Sequence, residues 1–134
     1  MHTNATNSNT KLLYPKLSYL ITGLCFDVHN TLGRYAREKQ YSDLLELKLK
    51  ESGISYEREL VVKGTGNIVD YIVSRSIILE LKAKEYIVKE DYYQIQRYLQ
   101  ILKIRLGLII NFRSRYLKPL RVVLIETDVR KKFL

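Results

Sequence analysis

The run "VDYIVSRSIILELKAKE" (69–85) sets Asp70, Glu80 and Lys82 among mostly apolar residues. Two stretches in it read as neighbouring strands, Ile68 to Val73 and Ser76 to Lys82, joined through Ser74 and Arg75. Side chains alternate faces along a strand, so Glu80 and Lys82 point one way while Leu79 and Leu81 point the other. A hairpin centred near residues 74–75 brings Asp70 close to opposite Glu80, within a residue or two of register. Two facing carboxylates repel unless a proton or a cation lies between them. Oxygen-only ligation by one or two carboxylates and water is the pattern expected for Mg²⁺ or Mn²⁺. Lys82, beside such a site, could orient a bound water or stabilise charge developing on a phosphate oxygen. Spacing alone also fits an ordinary cross-strand Asp/Glu–Lys network on a solvated face. Against that, "IVDYIV" and "IILELK" are too apolar for a sheet with one face open, and two further polar residues, Glu38 and Gln94, fall near the inner sides of helices. Such exceptions gathered in one small domain suggest a shared polar pocket.

The elements that must position these residues follow from periodicity. Leu17, Leu20, Ile21, Leu24 and Val28 recur at helical spacing, predicting a first helix over 16–31. "AREKQYSDLLELKLKESG" predicts a second, with Tyr41, Leu44, Leu45 and Leu49 on one side and Gly53 as its stop. Glu38, one turn before Tyr41, shares roughly the core-facing side. "ISYERELVV" (54–62) is a first strand and "KGTG" a turn, before the pair of strands described above. "VKEDYYQIQRYLQILKIRLG" is helical, with Ile95, Leu99 and Leu102 as a stripe, Gln94 and Tyr98 one turn apart beside it, and Gly107 as its end. "LGLIINF" and, after Pro119, "LRVVLIE" are strands. The order ααβββαββ predicts an α/β fold, a mixed central sheet flanked by helices.

At 134 residues the chain suits one domain, 12–134, behind a polar tail, 1–11, expected to be disordered. A formal net charge of +9 suits a polyanionic partner, nucleic acid first and a membrane surface second. The single cysteine, Cys25, excludes an intrachain disulfide and fits a reducing, cytoplasmic setting; it reads as a small buried apolar residue. No apolar stretch is long enough to span a bilayer, and the N-terminus lacks the hydrophobic segment of a signal peptide.

An Asp, then about ten residues later Glu-X-Lys on a strand, then a helix bearing Gln-X-X-X-Tyr, resembles the PD-(D/E)XK nuclease superfamily. Here these are Asp70, Glu80-Leu81-Lys82 and Gln94 to Tyr98, the last similar to the RecB-type nucleases. Residues 32–125 resemble more closely the small GxxExxY family, in "LGRYAREKQY", "GISYERE", "VDYIV", "IILELKA", "QIQRYL" and "LGLIINF". Glu38 and Tyr41 match that signature, while Tyr35 stands where its name has Gly, and Val69 stands where the superfamily name has Pro.

The resemblance implies a restriction-endonuclease-like core and metal-assisted hydrolysis of a phosphodiester, with DNA the expected substrate. It implies that Asp70, Glu80 and the backbone carbonyl of Leu81 bind Mg²⁺ or Mn²⁺ and that Lys82 assists the water. Glu38 would join the acidic site, Gln94 would orient the site or the scissile phosphate, and Tyr98 would support by packing. Arg34, Arg37, Arg97, Arg113 and Arg115 are candidates for phosphate contacts, and some of the 11 tyrosines could stack on unpaired bases. A homodimer or a partner protein is expected for so small a chain. A binding module that kept the fold without turnover is the alternative, and a basic interaction protein with a polar core network is a third.

Overall fold

The structure, a computed structural model, describes residues 13–125. The polar tail, 1–11, expected to be disordered, lies outside them. Helices α1 (Pro15–Leu32) and α2 (Glu38–Glu51) are followed by strands β1 (Tyr56–Val61), β2 (Ile68–Val73) and β3 (Ile77–Lys82), helix α3 (Lys89–Leu102), and strands β4 (Leu106–Asn111) and β5 (Leu120–Val123). The predicted ααβββαββ order is the observed one. The strands form one sheet in sequence order. Neighbours are antiparallel except β3 and β4, which run parallel because α3 carries the chain back between them.

The helices cover both faces. Ile21, Cys25 and Val28 of α1 and Tyr41, Leu45 and Leu49 of α2 pack with Tyr71, Leu79, Leu108 and Ile110. On the other face Ile95, Tyr98 and Leu99 of α3 meet Ile72, Ile78 and Ile109. Burial on both sides explains why β3 and β4 read as nearly continuous apolar runs. Cys25 is fully buried, and burial pushes its thiol up to about 12, which keeps it an inert apolar side chain. No helix among the described residues is long and apolar enough to cross a membrane.

The end of α2 follows its sequence signal. Gly53, at φ 68°, donates to the Lys50 carbonyl, and Ile54 donates to that of Leu49, a Schellman closure. The end of α3 corrects the reading of Gly107. The helix stops at Leu102 with Lys103 left-handed at φ 57°, and Gly107 lies inside β4, opposite Ile78 and Val122. A Cβ there would stand 2.6 Å from Ile95 Cδ1, so the glycine admits α3 to the sheet rather than ending it.

The β2–β3 connection is the two-residue turn expected, with Ser76 N–H donating to the Val73 carbonyl at 2.9 Å. Ser74 and Arg75 have φ 49° and 55°, the left-handed pair of a type I′ turn, which matches the twist of the strands it joins. β3 begins at Ile77, one residue later than predicted.

Candidate active site

The I′ turn sets the register Tyr71↔Leu79, so the next step along the hairpin puts Asp70 opposite Glu80. Regular pairing of β2 with β3 stops there, and the carboxylates take over. Asp70 N–H donates to Glu80 Oε2 at 3.0 Å, and Leu81 N–H donates to Asp70 Oδ2 at 2.7 Å. Each acid thus fastens the other's strand and keeps its second oxygen free for a different partner.

Two strands exchange faces at the same step. On β2, Tyr71 and Val73 face α1 and α2, but Val69 joins the α3 side with Ile72. On β1, Tyr56 and Arg58 face α2, where both bond Glu46, while Leu60 joins the α3 side. Between Arg58 and Leu60 stands Glu59 at φ 57°, opposite Asp70 in register. A left-handed residue inside a strand costs on the order of 1–2 kcal/mol, and here it reverses which face the strand presents.

Glu80 is buried and Asp70 is half-buried. Burial pushes the Glu80 carboxyl up to about 7, with the Asp70 charge adding to the rise. Asp70 is raised as well, first by burial, then by the Glu38 and Glu59 charges, against the Leu81 N–H and the Lys82 charge, which lower it. The pair therefore lacks positive charge. Lys82 Nζ supplies part of it from 4.0 Å from Glu80 Oε1, and is itself 3.8 Å from Asp91 Oδ1 on α3.

Asp91 was not among the residues the sequence singled out. It accepts from Val88 N–H at the start of α3 and holds Lys84 Nζ at 2.6 Å. Burial works against its charge, but Lys84 and that N–H keep its carboxyl below the usual range. An acid three residues into a helix after an extended Val88 reads as a helix-start signal, which masks its second task beside Lys82. Glu59 was missed too. The hint is that Arg58 and Leu60, nominally on one face, are charged and apolar.

Glu38 reaches the site from elsewhere than expected. It is exposed at the first position of α2, not on its core side, and its Oε2 accepts from Ala83 N–H at 3.3 Å, just past Lys82. A first-turn residue precedes the helix's packed stripe, so periodicity counted from Tyr41 misplaced it. Glu38, Glu59, Asp70 and Leu81 line a cleft of about 320 Å³ with Lys39, Ser42, Arg58 and Ile68. Glu80 and Lys82 lie behind it, on the α3 side.

Gln94 stands apart: it lines a shallow depression with Glu90, Tyr93 and Arg97, with no hydrogen bond to Asp70, Glu80 or Lys82. Tyr98 is buried in the core against β2 and β3. Its hydroxyl is raised by burial and then by the charges of Glu80 and Asp70, which sets it near the pair without a direct bond. Tyr41 is a structural residue. Its hydroxyl donates to the Gly33 carbonyl at 2.6 Å and accepts Ala36 N–H, and its ring stacks on Phe112 at 4.2 Å.

Among the described residues no three acidic, histidine or cysteine side chains converge into a preformed metal cage. The donor set still suits a hard cation. Two carboxylates with free oxygens, short of positive charge, and an adjoining backbone segment at Leu81 match the one or two protein carboxylates with which Mg²⁺ is commonly held among waters.

The family model described as the PD-(D/E)XK nuclease superfamily matches residues 15–122. The mixed sheet with helices on both faces is the restriction-endonuclease-like architecture. The chain belongs to the PD-(D/E)XK nuclease superfamily. No curated protein matches it.

Proposed function

We propose that this chain is a divalent-metal-dependent nuclease that hydrolyses phosphodiester bonds in DNA, and that within its superfamily it is a GxxExxY protein. The reciprocal Asp70–Glu80 pair carries this reading, because burial and mutual repulsion leave it under-neutralised in the way a cation relieves. Mg²⁺ or Mn²⁺ held there supplies a polarising charge on the phosphate and lowers the pKa of its water.

Asp70 and Glu80 would hold that cation, with the backbone carbonyl of Leu81 beside them. Lys82 Nζ, kept between Glu80 and Asp91, donates to the attacking water or to the charge growing on the phosphate. Glu38, on the cleft wall, would add its negative charge to the acidic site. Gln94, turned toward its own depression, acts on substrate bound along α3 rather than on the reacting atoms. Glu38 and Tyr41 support the GxxExxY assignment: one sits at the cleft and the other pins the loop before it.

The test is incubation of the purified protein with single-stranded, duplex and branched DNA and with RNA, in Mg²⁺, Mn²⁺ or chelator. Cleavage appears only with metal, and Lys82→Ala lowers it by about 10²–10³, the loss typical of one preorganised charge-stabilising donor. Equal cleavage by the two proteins sinks the assignment. Binding without cleavage returns the chain to the non-catalytic reading, which the displaced Gln94 favours.

A further inference from the structure

Arginine and tyrosine meet on an exposed ledge beside the cleft. Tyr35, in the α1–α2 loop, is 74% exposed, with the guanidinium carbons of Arg34 and Arg113 at 5.1 and 5.4 Å from its ring centre. In the β4–β5 loop Tyr116 is 79% exposed, with that of Arg115 5.4 Å from its ring. The two loops are tied together. Arg34 Nε donates to the Arg113 carbonyl at 2.9 Å, and His29 Nε2 lies 2.9 Å from the Ser114 carbonyl. Tyr41 fixes the loop from beneath through Gly33 and Ala36. The ledge is thus preorganised, not a set of loose surface side chains.

Among the described residues none of Arg34, Arg113 and Arg115 forms a salt bridge with a carboxylate, and Arg113 Nε is buried without a hydrogen-bond partner. Location links the ledge to the site. Tyr35 is three residues before Glu38, whose carboxylate rests on Ala83 N–H, and Arg113 follows Phe112, whose N–H is held by the Lys82 carbonyl.

We infer that this ledge binds a single-stranded stretch of nucleic acid and feeds it to the cleft, an inference that rests on the nuclease reading and narrows its substrate. Unpaired guanidiniums suit phosphates. Exposed rings suit the faces of bases, which a duplex keeps stacked inside and a single strand offers. A ledge meant only for duplex backbone would need the arginines and gain nothing from the tyrosines.

The experiment measures fluorescence anisotropy of the full chain in chelator, where no cleavage occurs. The probes are a labelled single strand of about 16 nucleotides, the upper end of what one such groove tracks, as DNA and as RNA, and the blunt duplex of the same DNA sequence. Wild type binds single strands more tightly than duplex. Tyr35→Ala weakens single-strand binding about tenfold, within the range of one lost base stack, leaves duplex binding within about twofold, and Tyr35→Phe restores it. Equal affinity for single strand and duplex, or a Tyr35→Ala loss shared by both, overturns the inference. So does no loss at all, including where the ledge serves a protein partner instead. The two readings fail separately: single-strand binding through Tyr35 without cleavage in Mg²⁺ sinks the nuclease, while cleavage with an idle Tyr35 sinks only the ledge.

Discussion

Glu80 carries a stability cost that depends on pH. Its carboxyl, pushed up to about 7 by burial and by Asp70, lies above the value it has in an unfolded chain. Between the ordinary glutamate range and about 7 the folded protein therefore holds a proton that the unfolded chain has released, and the neutral buried carboxyl contributes stability that the charged one does not. That contribution is fully present below the ordinary glutamate range and is lost as pH rises through about 7. In chelator, wild type melts higher at pH 5 than at pH 8 relative to Glu80→Gln, a difference on the order of 2–3 kcal/mol. The amide still accepts the Asp70 N–H, so the comparison isolates charge from hydrogen bonding. Equal pH dependence in the two proteins would show that Glu80 is not the group responsible. At this scale the sequence was most readable where local geometry decides. A two-residue turn fixes register, so Asp70 and Glu80 could be paired on paper. Glu59 and Asp91 could not be found that way: a left-handed backbone leaves no mark on glutamate, and Asp91 meets Lys82 only once α3 has docked.

At the scale of elements, α3 and β4 meet at Gly107. Gly107→Ala costs about 1–3 kcal/mol, the range for an overpacked core, read by urea unfolding. Ile95→Val removes the Cδ1 that a new methyl would strike. Combined with Gly107→Ala it costs less than the sum of the two, and strict additivity would rule the contact out as the cause. The hairpin offers the opposite sign. Ser74 and Arg75 hold left-handed angles that suit Asn-Gly better, so Arg75→Gly stabilises by about 1 kcal/mol. An unchanged or lowered midpoint would mean that Arg75 makes up for its strain elsewhere. The helices and strands were legible because their stripes are long and regular. Gly107 was misread because a glycine after an apolar helical run looks like a stop until the facing helix is known.

For the whole molecule, the sheet brings three remote segments to one end: the open end of the β2–β3 hairpin, the start of α2 and the start of α3. A ligand that binds there only in the folded state must stabilise all of them together. At pH 8, Mg²⁺ at about 100 times its dissociation constant raises stability by about 2.7 kcal/mol, seen as a higher melting temperature in wild type. Asp70→Asn, which keeps an acceptor for Leu81 N–H, abolishes that rise; a rise that survives it places the cation elsewhere. The surplus of positive charge, 23 Lys and Arg against 14 Asp and Glu, was evident from composition, but its division was not. Arg58 pairs with Asp43 and Glu46 because α2 packs against β1, whereas the ledge arginines lie in loops where no acid meets them among the described residues.

The mutual fastening of Asp70 and Glu80 also bears on which replacements at the proposed site such a protein can survive. Because each carboxylate closes the other's strand, an apolar replacement of either removes a charge of the proposed site and opens the sheet in one step. The survivable route runs through the amides, Asp70→Asn and Glu80→Gln, which discharge the pair while leaving both backbone N–H groups satisfied. A lineage of the proposed nuclease that drifts from cutting nucleic acid to merely holding it should therefore carry asparagine or glutamine at these two positions far more often than alanine or valine.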